Sequence, residues 1–94
     1  MYTPDLRQFS TKLKVPWKIL YHQSEHMRRV FENILKGYIP KKPLKTSVRV
    51  FPHALTCKMI VLFEDKQKNP DAIDALIDKV ARRALLNVIA EHNE

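Results

Sequence analysis

One glycine, one cysteine and one tryptophan stand in a chain of 94 residues. A single cysteine, Cys57, excludes an intrachain disulfide framework and fits a reducing, cytoplasmic compartment. A single glycine, Gly37, excludes a glycine-rich phosphate loop, which needs several. No apolar run approaches the ~20 residues of a membrane span. The opening MYTPDLRQFS has no apolar centre, so no signal peptide is expected there. Repeats, low-complexity tracts and Gly/Ser linkers are also missing. The length implies one domain over residues 1–94, with residues 1–10 as a flexible arm.

Positive charge is plentiful. The chain carries a net +7, unevenly distributed. Residues 1–68 hold fourteen Lys and Arg against five Asp and Glu, a net +9, whereas residues 69–94 hold three against five. Such a field favours nucleic acid, an anionic membrane surface or an acidic protein partner; its plainest alternative use is solubility. The 45% hydrophobic content is enough for a core and argues against general disorder.

Two helices are legible. In SEHMRRVFENILK, Met27, Val30, Phe31, Ile34 and Leu35 share one face, and Tyr38 extends the series. Ser24 is placed as its N-cap and Gly37 as the residue beyond its end, with Pro40 blocking continuation. The second helix opens on Asn69 and Pro70 and carries Ile73, Leu76, Ile77, Val80, Ala84, Leu85, Val88 and Ile89 as a wide apolar stripe. That stripe is broad for a short domain, which suggests an oligomer contact as well. Between the helices, SVRVF alternates around Val48 and Val50, PHAL reads as a turn, and TCKMIVLFED is apolar on both faces at its middle, as a central strand should be. EDKQKN reads as a polar loop.

TKLKVPWKILYH is ambiguous. Leu13, Val15, Trp17, Ile19 and Tyr21 fall at every second position, with Lys12, Lys14, Pro16, Lys18, Leu20 and His22 between them, which favours a strand, with Pro16 confining it to a sheet edge. The competing reading is one long helix from Pro16 through Tyr38. The strand reading gives an α+β two-layer sandwich in the order β-α-β-β-α, a small mostly antiparallel sheet with two helices on one face; the other gives α-β-β-α. In the first, Lys12, Lys14, Lys18, Arg49 and Lys58 line the opposite sheet face, with Phe51 among them, while Trp17 and Tyr38 pack in the core. Lysines on an edge strand also discourage edge-to-edge aggregation.

Catalytic signals are thin. HQSEH, from His22 to His26, matches the inverted zinc-protease pattern H-x-x-E-H, but it straddles the expected helix start and lacks a third ligand. Cys57 with His53 nearby reads as a buried small hydrophobe rather than a nucleophile. Asp71, Asp74 and Asp78 suit a solvated helix start better than a cation site. The chain is therefore expected to be non-enzymatic, without cofactor or metal. The expected function is a small basic module binding DNA or RNA through Lys12, Lys14, Lys18, Arg28, Arg29, Lys36, Lys41, Lys42, Lys45, Arg49, Phe51 and Lys58. The alternative is a protein-interaction or homodimerising module that uses the apolar C-terminal helix or an edge strand.

Overall fold

The computed structural model describes residues 6–64 and 69–92. The elements run β1 (Leu6–Lys14), α1 (Trp17–His22), α2 (Ser24–Tyr38), β2 (Lys45–Phe51), β3 (Thr56–Glu64) and α3 (Pro70–His92), with a 3-10 turn at Pro52–Ala54 between β2 and β3. The strand order is β1-β3-β2, and both pairs are antiparallel. β1 and β2 therefore run parallel with β3 inserted between them, a split β-α-β arrangement. This is the α+β class expected, with β3 central.

The opening segment departs from the expected strand. β1 begins at Leu6 and stops at Lys14, so residues 6–10 are sheet rather than arm, and residues 1–5 lie outside the described residues. The Val15 N–H donates to the Leu55 carbonyl at 2.9 Å, one position beyond the last strand pair in the same register. The Pro16 carbonyl then accepts from the Ile19 and Leu20 N–H groups at 3.0 and 3.3 Å, opening α1. Proline suits a helix start because it removes only a donor that would lack an intrahelical partner there. Neighbours Ile19 and Leu20 are both buried, which alternation forbids and a helix allows. Trp17 is turned out, 59% exposed, instead of packing in the core. The long-helix reading also fails as a whole, because Gln23 (φ −119°, ψ 6°) separates α1 from α2.

Two caps differ from expectation. Gln23, not Ser24, precedes α2, and no side chain caps it. Gly37 lies inside the last turn of α2, which ends at Tyr38 before extended Ile39; no glycine takes a positive φ. At α3 the expected cap forms: Asn69 Oδ1 accepts from the Ala72 N–H at 3.2 Å, and Pro70 opens the helix. The EDKQKN loop falls mostly on residues 65–68, outside the described residues.

The helices cover one sheet face. Met27, Phe31 and Leu35 of α2, and Ile77, Val80, Ala81, Ala84, Leu85 and Val88 of α3, join Phe9, Leu13, Cys57, Met59, Val61 and Phe63 in one core. Each large side chain so buried contributes about 1.5–3 kcal/mol. Ile73, Leu76 and Ile89 pack against this core in part, so the α3 stripe is consumed by the domain's own interior. Polar bonds tie helices to strands. Arg28 Nη1 donates to Glu32 at 2.7 Å and to Thr46 Oγ1 at 3.2 Å, and the Thr46 hydroxyl donates to Glu32 in turn. On the β1 side, the Thr11 hydroxyl donates to Asp78 of α3.

Candidate nucleic-acid interface

Antiparallel pairing places partnered residues on the same face, so the register defines what the helices leave uncovered. Along β3, Cys57, Met59, Val61 and Phe63 point into the core, while Thr56, Lys58, Ile60, Leu62 and Glu64 are half-buried on the other side. Each of these central residues anchors a transverse row. Lys12, Lys58 and Arg49 form one row of three cations. Lys14, Thr56 and Phe51 form the next row toward one end of the sheet. On the other side of the cations, Ser10, Ile60 and Ser47 form a row, followed by Gln8, Leu62 and Lys45. Strands are spaced about 4.8 Å apart, so the cation row spans about 10 Å.

Like charges directly opposite one another destabilise a sheet. The only carboxylate among the described residues of this face is Glu64 at its far end, 3.5 Å from Lys41. Lys12 and Phe51 start on opposite edge strands, yet the Lys12 Nζ lies 5.3 Å from the Phe51 ring centroid. The two side chains meet over β3. A cation over an aromatic face is attracted by the ring quadrupole, which offsets part of the crowding.

Six of the twelve expected residues are brought together here: Lys12, Lys14, Lys45, Arg49, Phe51 and Lys58. The others lie elsewhere. Lys18 is on α1, because the strand ends before it. Arg28 is held by Glu25 and Glu32, and its fork sets the Glu25 carboxyl below its ordinary value. Arg29 lies 3.5 Å from Glu25. Lys36 and Lys42 line a separate cleft of about 320 Å³ with Leu35, Ile39, Pro40 and Pro43. Lys41 is paired with Glu64.

A second basic surface escaped the sequence reading. Lys79, Arg82 and Arg83 of α3 line a groove of about 720 Å³ with Ile34, Tyr38 and Leu86. Tyr38, expected in the core, is 52% exposed, and the Lys79 Nζ lies 5.6 Å from its ring centroid. The spacing of the three cations was visible, but the net −2 of residues 69–94 hid them. Arg82 is bound to Asp78 at 2.9 Å.

The residues with catalytic associations are engaged otherwise. His22 closes α1, and His26 in α2 has its Nε2 2.5 Å from Glu91 Oε2. Among the described residues no three His, Cys, Asp or Glu side chains are grouped to hold a metal. Cys57 is fully buried, and desolvation pushes its thiol up to about 11, which disfavours the nucleophilic thiolate. Among the described residues no helix is long and apolar enough to cross a membrane.

The fold and this surface define a small α+β domain whose sheet is covered by helices on one side and carries a cation row on the other. No family model, curated protein or solved structure matches the chain.

Proposed function

We propose that this domain is a non-enzymatic nucleic-acid-binding module whose contact surface is the helix-free face of the sheet. The carrying observation is the Lys12–Lys58–Arg49 row, which places three cations side by side without a carboxylate among them. Phosphates would relieve the mutual repulsion and release counterions, so binding draws on a strain already present in the free protein. The Arg28–Arg29 segment is discounted because its charges are held by Glu25 and Glu32.

The test is a titration of labelled oligonucleotides, followed by anisotropy at several salt concentrations. Micromolar or tighter binding that weakens as salt rises is the expected result. No binding at low salt would refute the reading. Charge reversal at Lys41 and Lys42 is expected to weaken binding less than reversal at Arg49 and Lys58.

A protein-docking role has one observation in its favour, the α2–α3 groove with Leu86 61% exposed at its edge. A dimer through the main α3 stripe is disfavoured, because that stripe is already buried.

A further inference from the structure

Resting on the nucleic-acid reading, we infer that the ligand is a single strand whose backbone crosses the sheet along Lys12, Lys58 and Arg49 while one unpaired base stacks on Phe51. Three observations favour a single strand over a duplex. First, the surface is a three-stranded sheet, about 10 Å between its outer strands before side chains are added. The major groove of DNA admits an α-helix or a two-stranded ribbon. A sheet one strand wider, presenting its face, does not enter it. Second, every residue of the rows that make this face comes from a strand, so the surface offers no recognition helix of its own. Third, the cations come with an aromatic ring in the adjoining row, and a ring face stacks only on a base free of its partner.

The register also sets how the strand lies. The cation row runs across the strands, and Phe51 is displaced by one row toward the Lys14 side. One phosphate for each cation of the row gives about three backbone contacts. The base stacked on Phe51 belongs to the Arg49 end, since both residues are on β2. In the free protein the Lys12 ammonium covers the ring at 5.3 Å. An arriving base takes that place, and the displaced ammonium is left beside the phosphates at the row's own level. On the opposite flank, Ser10 and Ser47 present hydroxyls within one row of the backbone, where they meet the sugar edge.

The experiment compares unstructured ribo- and deoxyribo-oligonucleotides with a hairpin duplex of equal charge, using the full chain. Three phosphate contacts to a single strand predict a slope of log K against log salt near −2. Single strands are expected to bind at least tenfold more tightly than the duplex. F51A is expected to weaken single-strand binding about tenfold while leaving the slope unchanged, with F51Y restoring most of it. K58Q is expected to lower the slope by about 0.7. Because Trp17 is the only tryptophan, the W17F/F51W variant supplies an optical report: its emission is quenched by a single strand and not by the duplex. Equal quenching by deoxy and ribo strands assigns recognition to phosphate and base; quenching by ribo strands alone adds the 2′-hydroxyl to the recognised chemistry. Equal or tighter duplex binding, or an F51A protein that binds single strands as the parent does, would overturn the single-strand inference and leave the nucleic-acid reading in place. Absence of binding to every oligonucleotide would overturn both.

Discussion

At the residue scale, the core and the surface make different demands. Phe63 is fully buried on the central strand and meets Phe9 edge-on, with ring centroids 6.1 Å apart. F63A is expected to cost about 3–5 kcal/mol, a large part of the stability of a domain this size, read as a lower urea midpoint at unchanged slope. Asp78 is held below its ordinary carboxylate value first by the Thr11 hydroxyl and then by Arg82. A carboxylate depressed in the folded state stabilises above its unfolded value, and that contribution fades as pH falls through the folded one. D78N is therefore expected to reduce stability near neutral pH and to flatten the melting curve's decline below about pH 4. Equal steepness in the parent and the variant would remove Asp78 from the acid response.

At the scale of elements, the turn between β2 and β3 holds Leu55 in the left-handed region at φ 51° and ψ 45°. That conformation costs a non-glycine residue about 1–2 kcal/mol, while asparagine adopts it more readily. Leu55 is 48% exposed, so its side chain gives up little on replacement. L55N is expected to stabilise the domain by about 0.5–1 kcal/mol, measurable by thermal melting. Long elements were legible in the sequence for a definite reason: α2, β3 and α3 repeat their apolar spacing often enough to select one period. The six residues of α1 did not, since Trp17, Ile19 and Tyr21 satisfy alternation in a segment of less than two helical turns. Most of the candidate surface was legible for the same reason, because strand alternation assigns Lys12, Lys14, Arg49, Phe51 and Lys58 to one side, while Lys45 sits where the sequence reads as a connector. What sequence could not supply was strand order. Only the β1-β3-β2 arrangement turns three separated cations into a row.

At the scale of the whole molecule, the cation row places stability and binding in opposition. K58E puts a carboxylate between Lys12 and Arg49, replacing two like-charge neighbours with two opposite ones. The fold is expected to gain about 0.5–1 kcal/mol at low salt, with the gain shrinking as salt screens it, while nucleic-acid binding falls. A variant that loses stability and binding together would point instead to a structural role for Lys58. The split between faces has a further consequence. The nine residues of β3 behave as two interleaved words, one spelled by Cys57, Met59, Val61 and Phe63 and read by the interior, the other spelled by Thr56, Lys58, Ile60, Leu62 and Glu64 and read from outside. A library that randomises Thr56, Lys58, Ile60 and Leu62 would rewrite the outer word while leaving the inner one intact, making this strand a natural place to evolve new preferences on an unchanged scaffold.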